Sequence, residues 1–309
     1  NLVADGLTFS YHRTPILRNV FPSIGSVHGG HELIFFGESF LPTHSQSCVW
    51  LGDINQSTPA VVVSSTTAYC STPLTMESGR SAVYLRWGPS FDTLQSAQPF
   101  YFFNDPTVTT LRVTRGPAVG GTPVQIEGVF DSLLNISCQF GETQVSATFI
   151  NTNQIVCLSP RLNPNYSISK TVQLSLLYEH LSYPTPFNFT YDPEVVIASL
   201  SPVGGPLGGG FPIFISGENF VNTSSLSCWF GAAIVVNAKY HSDKLVSCIV
   251  PVLATSSTPV GVSLNGIQSS ISRPTLLSWK PALISDVSPP YFFVNTSQIA
   301  YLFGDFRPS

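Results

Sequence analysis

The chain has 309 residues, of which 10% are charged and 43% hydrophobic, and its formal net charge is −4. The low, slightly acidic charge excludes the basic surface that nucleic-acid binding requires, so we expect no nucleic-acid partner. No apolar run is long enough to cross a bilayer and no signal peptide opens the chain, so membrane contact is expected only through regions outside this sequence.

One motif occurs three times, which is the signature of a repeat protein. It consists of a glycine, a glycine pair four residues later, a short apolar strand and a closing glycine. The glycines are Gly25, Gly29, Gly30 and Gly37, then Gly116, Gly120, Gly121 and Gly128, then Gly205, Gly209, Gly210 and Gly217. We interpret them as structural turn residues, because only glycine takes positive φ without strain.

The repeats set the predicted domain boundaries in chain order. Residues 1–14 are interpreted as the closing strand of a preceding repeat, because an aromatic strand followed by proline recurs at each later boundary. The predicted modules are 15–105, 106–192 and 193–280, and residues 281–309 begin a fourth, truncated module. Both ends fall inside repeats, so we expect a window on a longer array.

Short runs rich in β-branched residues predict an all-β chain. In the first module an extended segment at 16–21 and the apolar strand that ends at Gly37 come first, and the further predicted strands cover residues 48–52, 60–63, 66–70, 82–87 and 99–103. No segment has helical periodicity, and turn residues at this spacing favour antiparallel sandwiches. Each closing aromatic strand runs into proline within a few residues, which predicts short, stiff junctions.

The six cysteines occur two per module. They are Cys48 and Cys70, Cys138 and Cys157, and Cys228 and Cys248. Metal binding is one alternative, but no C-x-x-C motif occurs, and buried free thiols are another. We predict one disulfide inside each module, which by loop entropy contributes about 3 kcal/mol for a loop of about 20 residues. Disulfides imply an oxidising compartment.

Six N-x-S/T sequons predict covalent N-glycans. They begin at Asn55, Asn135, Asn165, Asn188, Asn222 and Asn295. Asn135 and Asn222 precede the first cysteine of their modules in equivalent loops. Occupied sequons would account for a surface so poor in charge.

The repeated motif resembles the IPT/TIG domain, an immunoglobulin-like module. The matching pieces are the glycine motif with Phe40 or Phe220, the Cys-x-Phe-Gly segments at Cys138 and Cys228, and Pro three residues after each second cysteine. The resemblance covers essentially the whole chain and implies tandem immunoglobulin-like β-sandwiches in an extended array. The family includes plexin and scatter-factor receptor ectodomains, fibrocystin-like surface proteins, Rel-type transcription factors and modules appended to glucan-processing enzymes, so the fold does not decide function.

No candidate catalytic constellation emerges, and we predict no enzyme and no cofactor. Glu38 and Glu218 recur after the closing glycine and are interpreted as turn residues that cap local amides. Asp105, Asp192 and Glu194 lie at junctions where calcium is an alternative, but other junctions lack acids and calcium needs several oxygen ligands. We therefore predict no metal site.

The leading hypothesis is an extracellular or cell-surface structural or adhesive protein, possibly assembled into a filament or surface appendage. Its expected partners are other copies of itself or other surface and matrix proteins, since exposed strand edges pair laterally. The first alternative is the stalk of a receptor or adhesion ectodomain. The second is a non-catalytic carbohydrate-binding appendage of a secreted enzyme. A transmembrane span, a catalytic domain or continued repeats in the flanking sequence would distinguish these hypotheses.

Overall fold

A computed structural model describes most of the chain. The described residues are 12–42, 46–52, 55–75, 77–88, 91–93, 96–162, 168–179, 181–281, 283–291, 294, 297 and 299–305. Among them every extended regular element is a β-strand and no α-helix occurs. The all-β prediction is therefore confirmed. Of the predicted closing strand at residues 1–14, residues 1–11 lie outside the described residues and 12–14 form no strand.

The first repeat forms nine strands around one core. They are β1 (Ile16–Phe21), β2 (Ile24–Ser26), β3 (Glu32–Glu38), β4 (Gln46–Leu51), β5 (Ser57–Ser64), β6 (Thr67–Ser71), β7 (Gly79–Trp87), β8 (Phe91–Asp92) and β9 (Gln98–Phe103). The strand order is β1-β3-β6-β5-β4-β7-β9-β2, with β8 beside β7. Strand β5 pairs with β4 at its beginning and with β6 at its end, so it passes from one layer to the other.

The second repeat reproduces this order in eight strands. They are β10 (Thr107–Leu111), β11 (Arg115–Pro117), β12 (Pro123–Val129), β13 (Ile136–Phe140), β14 (Thr143–Asn151), β15 (Gln154–Leu158), β16 (Lys170–Tyr178) and β17 (Leu181–Asp192). Their order is β10-β12-β15-β14-β13-β16-β17-β11. Strand β14 takes the role of β5, since it pairs with both β13 and β15.

In the third repeat the strand that joins the layers is divided into two. The strands are β18 (Val196–Ser201), β19 (Gly204–Pro206), β20 (Pro212–Glu218), β21 (Ser227–Phe230), β22 (Ile234–Asn237), β23 (Lys239–Ser242), β24 (Leu245–Ile249), β25 (Ser257–Ser263) and β26 (Thr275–Trp279). They form the separate sheets β18-β20-β24-β23 and β19-β26-β25-β21-β22. After them, β27 (Leu283–Ser288) and β28 (Tyr301–Asp305) pair antiparallel where the fourth module is predicted to begin.

The core follows from the two-residue period of the strands. In β3, Leu33 and Phe35 are fully buried, whereas Phe36 faces outward. Trp50 of β4 is also fully buried, with its ring centroid 5.0 Å from that of Phe100. Burial of such large apolar side chains is the main stabilising contribution to each sandwich.

One disulfide crosses between the layers of each repeat. The bonds are Cys48–Cys70 between β4 and β6, Cys138–Cys157 between β13 and β15, and Cys228–Cys248 between β21 and β24. The paired Cα atoms are 6.3–6.4 Å apart, and all six residues are buried. Each bond therefore joins two strands that do not pair through their backbones.

The twelve repeated glycines have two different structural roles. The three glycine pairs have positive φ, between 64° and 81°, in the turn that precedes β3, β12 or β20. The other six lie within strands and not in the turn where we predicted them. Close packing explains why glycine occurs at these strand positions. For example, a Cβ on Gly37 would lie 2.2 Å from the carbonyl oxygen of Ile16 in the neighbouring strand.

A short early strand of each repeat pairs in parallel with the last strand of the same repeat. The pairs are β2 with β9, β11 with β17 and β19 with β26, and each joins three residues to three. The final pair of residues is Ser26 with Phe103 in the first repeat and Pro117 with Asp192 in the second. These ladders hold the beginning and the end of one repeat together.

The chain divides into two compact units, and the division passes through the second repeat. The first unit comprises residues 1–107, 128–134 and 178–183. The second unit comprises residues 108–127, 135–177 and 184–309. The first unit thus contains the first repeat with short segments of the second, and the second unit contains the rest of the second repeat together with the third repeat and the residues after it.

Candidate functional site at the repeat junctions

In the first unit, the end of the first repeat is buried among rings of the second. Phe103, the last residue of β9, is fully buried, and its ring centroid lies 5.1 Å from that of Tyr178 and 6.2 Å from that of Tyr183. The two tyrosine rings are 5.7 Å apart on either side of the turn between β16 and β17. Each edge-on aromatic pair of this kind contributes about 0.5–1.5 kcal/mol of stability beyond that of the buried area.

Polar groups surround this aromatic cluster. The Tyr101 hydroxyl donates to Asp131 Oδ2 at 2.7 Å, and Asp131 Oδ1 accepts from the Leu133 amide at 2.9 Å. Burial, and then the hydrogen bond to Asp131, raise the pKa of Tyr101 to about 12. Burial raises the pKa of Tyr178 to about 12 as well, and burial with the nearby Asp105 carboxylate raises the pKa of Tyr183. These tyrosines therefore stay neutral at physiological pH.

The predicted junction acid Asp105 lies beside the glycine turn of the first repeat. Its Oδ2 is 3.3 Å from Nδ1 of His28, whose side chain is 70% exposed. His28 also contacts the Ser26 hydroxyl at 3.2 Å, so its ring is held on the side of β2. The contact joins the turn region to the residue that follows β9.

In the second unit, the end of the second repeat carries a buried ion pair. Arg115 Nε donates to Asp192 Oδ2 at 2.8 Å, and Arg115 Nη2 donates to Oδ1 at 2.6 Å. The Ser169 hydroxyl donates to Oδ1 at 2.8 Å, and the Asp192 side chain is only 1% exposed. The hydrogen bond to Asp192 raises the pKa of Arg115. Two-pronged contacts of this kind fix the guanidinium group and satisfy the carboxylate.

Two amide side chains of the third repeat bind the second repeat. Asn265 Nδ2 donates to the Arg115 carbonyl at 3.2 Å, and Gln268 Nε2 donates to the Gly120 carbonyl at 3.3 Å. The Thr122 hydroxyl donates in turn to Gln268 Oε1. Asn265 Oδ1 accepts from the amide of Gln268, so the loop holds both side chains in position. The repeats are therefore joined by direct hydrogen bonds as well as by the chain.

Two of the three carboxylates considered as calcium ligands, those of Asp105 and Asp192, have protein partners in the structure. Asp192 pairs with Arg115, and Glu194 is exposed at the start of the third repeat. In the described part of the chain, no group of three or more His, Cys, Asp or Glu side chains is placed to hold a metal ion. Glu38 was expected to cap local backbone amides, but its Oε1 instead accepts a hydrogen bond from Arg18 Nη2 at 3.0 Å.

Four of the six predicted glycosylation sites lie in the described part of the chain. Asn55, Asn135, Asn188 and Asn222 are all exposed. Asn135 and Asn222 precede β13 and β21 respectively, in equivalent loops, whereas Asn188 lies within β17. Asn165 and Asn295 lie outside the described residues. Exposure is what attachment of a glycan requires.

Sequence reasoning missed most of the junction contacts. It identified the closing aromatic strand at 99–103, which contains Phe103, but it did not identify Tyr178, Tyr183, Asn265 or Gln268. Gln268 bonds to Gly120 across 148 residues of chain, and no local pattern signals such a contact. The nearest available signal was the Asn-Gly pair at 265–266, which is typical of a tight turn.

Comparison with known families agrees with the architecture. Residues 106–191 and 195–278 match the family model described as "IPT/TIG domain". The match covers more than half of the chain, and it confirms the resemblance and the tandem immunoglobulin-like fold predicted from the glycine and cysteine motifs.

Curated relatives are much longer than this chain. Fibrocystin-L of Mus musculus is 26% identical over 306 residues, which cover 93% of this chain and 6% of the relative. Fibrocystin-L of Homo sapiens is 26% identical over 295 residues, which cover 91% of this chain and again 6% of the relative. The chain thus spans about 6% of the length of the curated relatives it matches.

Among solved structures, the full extracellular region of plexin A4 is similar at 15% sequence identity. The alignment covers 91% of this chain and 26% of that one, with a TM-score of 0.43. In the residues that the structure describes, no helix has the length and apolar character needed to span a membrane.

Proposed function

Because the chain belongs to the IPT/TIG domain family, we propose that it is a stalk segment in the ectodomain of a receptor or adhesion protein. The curated relatives, which it matches over nearly its whole length, favour this hypothesis over the filament or surface appendage. Nothing in these comparisons supports assembly into a filament. In this proposal the chain contributes spacing and support, and the ligand-binding head of the receptor lies elsewhere in the parent protein.

The observation that carries the proposal is the direct bonding between successive repeats. The first unit buries Phe103 against Tyr178 and Tyr183, and the second unit joins Asn265 and Gln268 to the preceding repeat. A stalk must hold its domains in a defined relation, which freely jointed linkers do not do. Buried rings and paired amides restrict that freedom.

Two features support a location outside the cell. All six cysteines form disulfides, which persist in oxidising compartments and are rare in the cytosol. The four described sequons are exposed and therefore accessible to the glycosylation machinery. IPT/TIG domains are a non-catalytic domain type, so we propose a binding or supporting role and no enzymatic one.

The test uses the full-length parent protein carrying an epitope tag next to residue 1 of this chain. Antibody staining of intact cells, surface biotinylation and membrane fractionation locate the tagged segment. We expect labelling on intact cells, retention with membranes, and a mass loss on treatment with peptide N-glycosidase. Changing Asn222 to Gln is expected to remove one glycan, whereas changing Asn104, which is not in a sequon, leaves the mass of the glycans unchanged.

Two outcomes would contradict the proposal. The first is recovery of the tagged segment in the cytosol with reduced cysteines. The second is concentration-dependent polymerisation of the purified chain in sedimentation velocity, which would favour the filament hypothesis over the stalk.

A further inference from the structure

The second unit contains a cavity at the place where the first unit has its aromatic cluster. Phe103 occupies the final position of the β2–β9 ladder, opposite Ser26, and Asp192 occupies the same position of the β11–β17 ladder, opposite Pro117. One junction therefore has a phenylalanine where the other has an aspartate.

A second position shows the same replacement. The amide of Gly141 donates to the Gln173 carbonyl, and the amide of Gly231 donates to the Pro259 carbonyl, so these two acceptors are equivalent. Tyr178 and Leu264 each follow their acceptor by five residues. The ring of Tyr178 is thus replaced by the smaller Leu264 in the third repeat.

These replacements leave an open cavity of about 340 Å³. Its inner wall is formed by the apolar side chains of Val195, Trp229, Val262 and Leu264. The Asp192 carboxylate also lines the cavity, but Arg115 binds both of its oxygens. The side chain that replaces Phe103 is therefore turned to its ion-pair partner and does not fill the space.

The cavity favours a neutral occupant. The charge of Asp192 is compensated by Arg115, and the other charged lining residues, Glu194 and Arg273, are exposed and of opposite sign. An ionised ligand would lose its hydration among the apolar walls, and Glu194 and Arg273, the lining charges left to pair with it, are exposed, so pairing with them offsets little of that cost. A neutral aromatic ring loses little hydration free energy when it moves from water into the cavity.

The cavity has room for an aromatic ring, its linking carbons and part of a chain segment, since its volume of about 340 Å³ is more than twice that of a cavity of about 150 Å³ that accepts benzene in another protein. In this chain, aromatic rings fill the equivalent place in the first unit. We propose that the cavity binds one aromatic side chain, tyrosine or phenylalanine, that a partner protein inserts. The inference goes beyond the proposed function, because it holds whether or not the chain is a stalk.

The rim indicates a polypeptide and not a free aromatic molecule. Val119, Ile267 and Ile271 line the cavity, yet they are 45%, 41% and 73% exposed. A small molecule inside the cavity would leave these aliphatic side chains in water. A chain segment on either side of an inserted ring would cover them, as the surroundings of an interface hot spot do.

The experiment follows the indole N–H signal of Trp229 in proton–nitrogen correlation spectra of the whole chain. The probes are N-acetyl-tyrosine amide, N-acetyl-phenylalanine amide, N-acetyl-alanine amide and a pentapeptide with tyrosine between alanines. We expect saturable shifts with the two aromatic amides and none with the alanine amide. The pentapeptide is expected to bind about tenfold more tightly than the single amide, because its flanking residues cover the rim.

Two variants locate the response. The Leu264→Tyr variant fills the cavity with a ring of the chain itself, as Tyr178 does in the first unit, and this variant is expected to abolish the shifts. Ile271→Glu changes an exposed rim residue and is expected to weaken pentapeptide binding about tenfold while preserving the spectrum of the fold. Ile249→Glu, at a 56% exposed site outside the cavity lining, is the matched control and should bind normally.

Several results would overturn the inference. They are no saturable shift with any aromatic probe, an equal response to the alanine amide, and unchanged binding by a folded Leu264→Tyr variant. If Leu264→Tyr does not fold, unchanged binding by Ile271→Glu overturns the polypeptide assignment. Equal affinities for the amide and the pentapeptide would do the same, because they indicate a free aromatic ligand.

Discussion

Gly209 and Gly210 are adjacent and both have positive φ, yet their surroundings differ. A Cβ on Gly209 would lie 2.3 Å from the Pro251 carbonyl oxygen, whereas a Cβ on Gly210 meets nothing within 4 Å. The sequence pair predicted the backbone conformation, since glycine pairs are typical of such turns. It could not separate the two residues, because the difference comes from a segment about 40 residues away.

Changing Gly210 to Ala is expected to cost about 1–2 kcal/mol, the strain of a left-handed backbone at alanine. Changing Gly209 to Ala adds a clash with Pro251 and is expected to cost clearly more. Urea denaturation of the two variants measures both free energies of unfolding. Equal losses of stability would contradict the packing role assigned to Gly209.

The ion pair of Arg115 and Asp192 provides a second prediction at the residue scale. Changing Asp192 to Asn leaves a guanidinium that is only 25% exposed without its charged partner, and we expect a loss of about 3 kcal/mol or more. The matched control is Glu127→Gln, which breaks the exposed pair with Arg112 and should cost less than about 1 kcal/mol. Chemical denaturation checks both values, and similar losses would contradict the distinction.

The buried tyrosines of the first unit predict lower stability in alkali. An unfolded tyrosine titrates at about pH 10, whereas the pKa of Tyr178 in the folded chain is about 12. Between these values the unfolded chain binds fewer protons, so the free energy of unfolding falls as the pH rises from about 10 to about 12. Changing Tyr178 to Phe should reduce this slope, because it removes the group whose pKa burial raises. Denaturant titrations at several pH values give the slope, and an unchanged slope for Tyr178→Phe would contradict the assignment.

At the scale of elements, the strands that consist of short apolar or β-branched runs were predictable. The predicted strand at residues 82–87 lies in β7, and the predicted strand at residues 60–63 lies in β5. The short strand β2 was not predicted, because three residues that include a glycine have no periodicity. Its conformation depends on the β9 residues that pair with it, and those are 77 positions away.

The disulfides predict a stability change for each sandwich. Changing Cys228 and Cys248 together to Ala removes the covalent link between β21 and β24. Closing a loop of about 20 residues is expected to contribute about 3 kcal/mol, so the third repeat should unfold first in the variant. Hydrogen exchange followed by fragment mass measurement assigns the loss to a repeat. As the matched variant, changing Cys138 and Cys157 together to Ala should make the second repeat unfold first. An even loss of protection in all repeats would contradict a local role of each disulfide.

At the scale of the whole molecule, the spacing of 90 residues between Cys48, Cys138 and Cys228 predicts three sandwiches, but it carries no information about the contacts between successive repeats. Period, glycine motif and cysteine spacing describe what the repeats share. The junctions depend on what differs between them, such as Phe103 in one and Asp192 in the other. Such differences between repeats can be interpreted only when the structure shows which residues occupy equivalent positions.

The amide contacts predict how the second and third repeats unfold. Changing Asn265 and Gln268 together to Ala removes the side-chain hydrogen bonds to Arg115 and Gly120. We expect a calorimetric transition shared by the two repeats to separate into two, because each repeat then unfolds with less support from its neighbour. Asn237→Ala, at an exposed position of β22, is the control and should leave the transition unchanged. Unaltered cooperativity in the double variant would contradict the coupling.

The parallel ladders have a mechanical consequence. In each repeat the chain first forms one strand of the other layer, β1, β10 or β18, then enters the ladder, and it leaves directly after the second ladder strand. A pulling force between the two ends of a repeat therefore acts along these strands and shears their hydrogen bonds, which then break together and not one after another. Each domain therefore resists extension through the short ladder that joins its first and last segments.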